Sequence, residues 1–292
     1  MRGTDVTRSD TRLKRWTFKP DFGSDVCLVT GAGKGLGREL AMKFAEHGAT
    51  VVMWDINEDD LKAVADRILE RGGDVHYYVC DCSKKDEVHE TADKVREEVG
   101  NVTILVNNAG FAGGKPLPDC SEEEIQRVFE VDALAHFWTT KAFIPWMLEN
   151  NYGHIVSIAS VSGFGGLFGM TDYAAANAAV ITFTEAFRHE LIAGGKDGIS
   201  LTCICPYHMD TSMFKSYKTK FPQLLPTLKP AKVADRTLRA VVDKETLVIV
   251  PCSISILIAL KWLLPLRAYD ELRNLIGANS AMKSAYGIKK KE

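Results

Sequence analysis

Thr30-Gly31-Ala32-Gly33-Lys34-Gly35-Leu36-Gly37 is where residue types and spacing in this chain promise chemistry most directly. The segment follows a short apolar run, Val26 to Thr30, and opens a helical pattern from Leu36 to His47 with Leu40, Phe44 and Ala45 on one face. Glycines at 31, 35 and 37 let the backbone turn sharply and approach a pyrophosphate at a helix N-terminus, where unpaired N–H groups and the helix dipole favour anions. A glycine cluster alone marks only a tight turn; placed between strand and helix it reads as a dinucleotide cradle. Asp55 ends the next apolar run, 24 residues past Gly31. A carboxylate there accepts both hydroxyls of an adenosine ribose and repels a 2′-phosphate, which selects NAD. Lys34 argues the other way, for NADP, unless it is an ordinary solvated side chain. The carboxylate is the more direct exclusion.

The elements that must hold these residues alternate along the chain. Apolar runs at 26–30, 50–54, 75–80, 103–106, 154–158, 199–205 and 247–250 read as strands. Charged or amphipathic helical patterns lie between them, at 36–47, 59–71, 84–99, 121–149 and 173–193. Continuous apolar strands separated by such helices predict a Rossmann-like, doubly wound parallel sheet with helices on both faces, in one α/β domain over 23–250. Residues 1–22 read as a basic arm, 207–230 as a long flap, and 251–292 as an apolar and basic C-terminal extension with helical character.

Bulk properties narrow the classes. The chain has 292 residues, 46% of them hydrophobic, which is enough for one large core. A net charge of -2 gives no global pull toward nucleic acid or anionic membranes. Seven cysteines, an odd number set mostly in apolar runs, predict reduced thiols facing a cytosol. The one-residue gaps in Cys80-Asp81-Cys82 and Cys203-Ile204-Cys205 are not zinc spacings, so no metal is expected. Met1 to Pro20 lacks an apolar run, which predicts no signal peptide. The apolar stretch Ile254 to Leu266 is too short beyond Pro251 to span a bilayer. It suits a surface-seeking helix or, equally, dimer or core packing.

Asn107-Asn108-Ala109-Gly110 follows the fourth strand, and Ser160 stands thirteen residues before Tyr173. With the glycine loop, these features resemble the classical short-chain dehydrogenase/reductase family over about residues 24–250. Trp54-Asp55-Ile56-Asn57, the 135–143 stretch, Gly153-His154-Ile155-Val156 and Cys205-Pro206-Tyr207 through Asp210-Thr211 are similar to its retinol dehydrogenase and 17β-hydroxysteroid dehydrogenase branch. The resemblance implies that Asp81, with Cys82, lies beside the adenine and that Asn108, Ala109 and Gly110 line the ribose. Pro206, Met209 and Thr211 would meet the nicotinamide side. Ser160 would hold the substrate oxygen and Tyr173 exchange its proton while hydride moves. That exchange requires the tyrosine pKa, ordinarily about 10, to come down.

Two positions depart from the pattern. Asn177 stands where the family has the lysine that acidifies the tyrosine and bonds the nicotinamide ribose, and Asp132 stands where it has an asparagine supporting a proton-relay water. One change removes a positive charge and the other adds a negative one, so both disfavour the tyrosinate. Neither Lys34, in the phosphate loop, nor Lys141 is placed to substitute. The sequence predicts cofactor binding with impaired hydride transfer. Three explanations fit: substitutions introduced to disable an enzyme, a member that kept binding and lost redox chemistry, or a non-redox cyclase or isomerase with Asp132 as acid or base.

Phe164 and Phe168, with Met213 and Phe214 of the flap, predict an apolar wall for a lipophilic alcohol or ketone such as a retinoid, a steroid or another lipid. Half of these residues would suit ordinary loop packing as well. The resemblance implies a homodimer through the 121–149 and 173–193 helices. The apolar C-terminal stretch leaves room for peripheral contact with a membrane or lipid droplet, with the endoplasmic reticulum as one setting.

Overall fold

The computed structural model describes residues 20–211 and 225–277. Seven strands form one parallel sheet: β1 (Val26–Thr30), β2 (Thr50–Asp55), β3 (Asp74–Val79), β4 (Ile104–Asn107), β5 (Gly153–Ile158), β6 (Ile199–Pro206) and β7 (Leu247–Val250). Their order is β3-β2-β1-β4-β5-β6-β7. The direction of travel reverses between β1 and β4, which leaves a crevice beyond the carboxyl ends of those two strands. All seven apolar runs read from the sequence are strands.

Helices cover both faces. The chain-order helices are α1 (Gly35–Glu46), α2 (Glu58–Glu70), α3 (Lys85–Glu98), α4 (Glu122–Phe129), α5 (Ala135–Asn150), α6 (Thr171–Ala193), α7 (Pro230–Val242), α8 (Ile254–Leu263) and α9 (Leu266–Ile276). Strand side chains alternate between two cores: Cys27, Val29, Val51 and Met53 pack with α1, α2 and α7, while Leu28, Val52 and Trp54 pack with α3 and α5. Of the apolar face expected of α1, Ala45 is half-buried, while Leu40 and Phe44 are fully buried. The latter two each contribute roughly 1.5–3 kcal/mol of hydrophobic stabilisation.

The stretch read as one helix over 121–149 is interrupted. A capping box between Ser121 and Glu124 starts α4, and a π turn, Glu130–Leu134, separates it from α5. A π turn fits an extra residue into the helix and so rotates α5 relative to α4. Here it leaves Asp132 and Ala133 buried. Beyond β7 the chain forms α8 and α9, a helical extension as expected. The basic arm lies outside the described residues except for its last three positions, and so do flap residues 212–224, among them Met213 and Phe214.

Candidate active site

β1 passes to α1 through Gly31 and Gly35, whose φ values of +64° and +56° would strain any residue with a side chain. Space forbids one too. A Cβ on Gly31 would lie 2.9 Å from Ala109 Cα, and one on Gly37 would lie 2.1 Å from the Gly31 carbonyl oxygen. Lys34, the N-cap of α1, makes no side-chain capping bond. The first-turn N–H groups are thus set for an anion, as a pyrophosphate cradle requires.

Asp55 is fixed at the end of β2. Its carboxylate accepts the Gly33 N–H at 2.9 Å and the Asn57 N–H at 3.1 Å. Lys34 is 69% exposed at its side chain and pairs with Asp60 at 2.6 Å, so its charge is already engaged. The Thr30 hydroxyl ties the other wall in place, accepting from the Asn108 and Ala109 N–H groups at 2.9 and 3.0 Å. Asn108 Nδ2 donates back to the Thr30 carbonyl at 2.9 Å.

These groups open on a cleft of about 1000 Å³. Gly31, Lys34, Gly35, Leu36 and Asp55 wall its near side, and Asn108, Ala109 and Gly110 its floor. Asp132, Tyr173, Asn177, Met209 and Thr211 close it. A smaller space of about 510 Å³ lies beside it, walled by Ser160, Leu167, Met170, Pro206 and Tyr207. Tyr173 belongs to both. It stands where a dinucleotide cleft meets an apolar recess, the position a proton-exchanging group needs.

Other expected residues lie elsewhere. Gly33 and Gly37 shape the turn without lining the cleft. Asp81 is not a wall; its carboxylate accepts from Arg127 at 2.9 Å and from the Ser83 hydroxyl at 2.7 Å. Burial works against ionisation there, but the bonds from Ser83 and Arg127 outweigh it and hold the carboxyl below its ordinary range. Cys82 is buried. Phe164 lines a separate cavity against α8 and α9, and Phe168 lines neither that cavity, nor the cleft, nor the recess.

The electrostatics around Tyr173 run against an acidic phenol. Burial raises its pKa above the ordinary tyrosine value and the Asp132 carboxyl adds to this, while hydrogen bonds with Ser160 and Asn177 oppose it. Asp132 accepts the Phe111 N–H at 2.9 Å. Burial foremost, then the nearby Asp172 carboxylate, pushes the Asp132 pKa up to about 8 against that one bond. Asn177 brings a neutral amide, which donates to the Tyr173 carbonyl oxygen at 2.9 Å.

Sequence reading missed Asp172. It is buried, one oxygen accepts the Tyr173 N–H at 2.8 Å, and the other has no hydrogen-bond partner among the described residues. Its adjacency to Tyr173 was the available signal. Arg127 had none, because only the fold brings α4 to the loop after β3.

The glycine cradle, with no Cβ to fill it, and the fixed Asp55 carboxylate fit a nicotinamide dinucleotide. Comparison with known proteins agrees. The human epidermal retinol dehydrogenase 2 is 38% identical over 274 residues, spanning 94% of this chain and 89% of that protein. A short-chain dehydrogenase/reductase from Burkholderia phymatum, solved in complex with NAD, superposes with a TM-score of 0.77 at 27% identity, over 87% of this chain and 97% of that one. A 7α-hydroxysteroid dehydrogenase complexed with NADH and 7-oxo glycochenodeoxycholic acid gives 0.73 at 29% identity, over 79% and 94%. Residues 25–221 match the family model described as short chain dehydrogenase, and the chain belongs to that family of oxidoreductases.

Proposed function

We propose that this protein binds NAD and a lipophilic alcohol or ketone of the retinoid or steroid kind, and that proton transfer at Tyr173 is impaired in the chain as it stands. The observation that carries the reading is the setting of Tyr173: burial first, and then the Asp132 carboxyl, raise its pKa, while position 177 offers a neutral amide in place of a cation. Gly31, Gly35 and the start of α1 would hold the pyrophosphate, Asp55 the adenosine ribose, and Asn108 to Gly110 with Asn177 the second ribose. Asp55 favours NAD over NADP. Bound there, the cofactor supplies a hydride acceptor or donor. Ser160 would hold the substrate oxygen and Tyr173 take or give its proton, and that transfer stalls when the phenol is too weak an acid.

The test compares the unmodified chain with the Asn177→Lys, Asp132→Asn double variant. Both are titrated with NAD⁺ and NADH, and absorbance of the reduced nicotinamide is followed with a panel of retinols and hydroxysteroids. NAD binding by both proteins with turnover at least ~10²-fold higher in the double variant supports the reading, that being the usual scale of general acid–base catalysis. Robust turnover by the unmodified chain sinks the impairment.

A second reading, a non-redox isomerase or cyclase, is favoured by Asp132 itself. A carboxyl with a pKa of about 8 is a proton donor at neutral pH. Catalysis that proceeds without any change in nicotinamide absorbance, and that Asp132→Asn abolishes, would select it.

Two partners complete the proposal. Phe137 of α5 is exposed and packs on Phe183 of α6 at 4.4 Å between ring centroids, which supports a homodimer through these helices. No helix among the described residues is long and apolar enough to cross a membrane. Yet Trp262 and Leu263 of α8 are 78% and 76% exposed, with Ile256 and Leu266 beside them, which supports peripheral contact with a membrane or lipid-droplet surface. The endoplasmic reticulum is the setting we favour.

A further inference from the structure

Lys34 and Asp55 wall the same end of the cleft and pull cofactor choice in opposite directions. A 2′-phosphate would seek the ammonium and avoid the carboxylate. A third residue, Asp60, stands outside the walls of the cleft yet touches both sides of that contest.

The contacts close into a ring. Asp55 accepts the Gly33 N–H at 2.9 Å and the Asn57 N–H at 3.1 Å. The Asn57 side chain, N-cap of α2, accepts the Asp60 N–H at 3.0 Å. Asp60 then takes the Lys34 ammonium at 2.6 Å, and Lys34 follows Gly33 in the chain. The ring is tight at Gly33, where an added Cβ would lie 2.8 Å from the Asp60 Cβ and 3.0 Å from Asp55 Oδ2. Asp60 is short, held by the first turn of α2 and 24% exposed at its side chain, whereas the Lys34 side chain is long and mostly exposed. The carboxylate therefore sets where the ammonium goes. Charge agrees with geometry: the Asp60 hydrogen bond and then its charge raise the Lys34 pKa, desolvation opposes them, and Asp55 adds least.

We propose that Asp60 is a specificity-determining residue, which by holding Lys34 withholds the one cation at this end of the cleft from a 2′-phosphate. The inference rests on the reading that places the adenosine ribose at Asp55. NADP is then refused twice, by repulsion at Asp55 and by the engagement of Lys34 at Asp60. Releasing Lys34 opens a phosphate site that the glycine loop already carries. The pair is open to solvent, so the gain on release is modest, about threefold to fivefold.

The test is calorimetric titration of NAD⁺ and NADP⁺ on the full chain, read as the ratio of the two affinities, which cancels any general loss of the site. Asp60→Asn keeps the size of the side chain and removes its charge. It should raise the NADP⁺ to NAD⁺ ratio at least ~3-fold, but less than ~1.5-fold when made in Lys34→Ala protein. Asp60→Ser, also uncharged and suited to a first helical turn, should repeat both results. A smaller gain with Lys34 present overturns the proposal. So does a gain of ~1.5-fold or more without Lys34, which would make Asp60 a direct repeller of the phosphate. The two readings fail separately. A parent that prefers NADP⁺, with a gain on Asp60→Asn that still needs Lys34, sinks NAD as the cofactor and spares the role of Asp60. A parent that prefers NAD⁺, with a ratio Asp60→Asn leaves unmoved, does the reverse.

Discussion

The Asn177 side chain donates its amide to the Tyr173 carbonyl oxygen at 2.9 Å, one turn back along their shared helix. The residue that faces the cleft at the lysine position is therefore held partly by its own backbone. Asn177→Lys breaks this bond and brings a cation near the phenol. A cation within a few ångström lowers such a pKa by about 1–3 units. We predict that the single Asn177→Lys variant shifts the alkaline limb of any pH–rate profile downward by that amount. An unmoved profile would show that Asp132 and burial alone control Tyr173.

Asp132 should make stability depend on pH. Its folded pKa of about 8 lies above the ordinary carboxyl value of 3.8, so its contribution is fully present below about pH 4 and is lost as pH rises toward 8. The slope within that window is about 1.4 kcal/mol per pH unit. Asp132→Asn removes it, so the variant gains on the parent between pH 6 and 8 and the gap levels off above. His136 and His154, both lowered to about 4 by burial, act on the acid side in parent and variant alike. Urea melts of both proteins at pH 6, 7, 8 and 9 give the answer, and parallel curves would refute it.

Asp55 should set cofactor choice. Asp55→Ala removes the ribose acceptor and also frees the Gly33 N–H that it holds at 2.9 Å. The ratio of NAD to NADP affinity is expected to fall at least tenfold, about 1.4 kcal/mol. Calorimetric titration of both cofactors measures it, and an unchanged ratio would undo the assignment of NAD.

Gly37→Ala is expected to abolish NAD binding and to lower stability. The new methyl group would sit 2.1 Å from the Gly31 carbonyl, which no rotamer change relieves. Gly72→Ala is a contrast: its added carbon meets nothing within 4 Å, although its φ of +78° still carries a backbone cost. Thermal melts with and without NAD⁺ should show a cofactor-dependent shift lost only in Gly37→Ala.

The outward face of α8 should carry membrane contact. Trp262→Asp with Leu263→Asp removes two exposed apolar side chains without touching the inward face. Sedimentation with neutral phosphatidylcholine vesicles is expected to fall at least tenfold, while NAD affinity stays unchanged. Equal sedimentation of parent and variant would place the contact elsewhere.

How much of the fold and site is legible in the sequence depends on the distance over which the physics acts. Each strand announces itself through consecutive apolar residues, and the glycine turn through its place between Thr30 and Leu36. Those are local signals. The π turn at Glu130–Leu134 was not legible, because α4 and α5 both keep helical patterns and only their relative rotation reveals the extra residue. That rotation matters for Asp132, whose burial is what raises its pKa. Arg127 on Asp81, and Lys261 and Arg273 on the loop after Ser160, join residues far apart in the chain through ordinary surface-type side chains. Nothing in their neighbourhoods distinguishes them from solvated cations until the helices are packed.

The loop after Ser160 that Lys261 and Arg273 hold also has a consequence for the order in which the protein is made. Ribosomes deliver the glycine turn, Ser160 and Tyr173 first. At about 5–20 residues per second, the 70 residues that follow Pro206, through Ile276, emerge over roughly 4–14 seconds. During that interval the nascent chain can assemble its first six strands, while the apolar side of the Val161–Leu167 loop has no cover. Chaperone engagement, or early adhesion to a lipid surface, would act on that uncovered wall before α8 and α9 arrive to claim it.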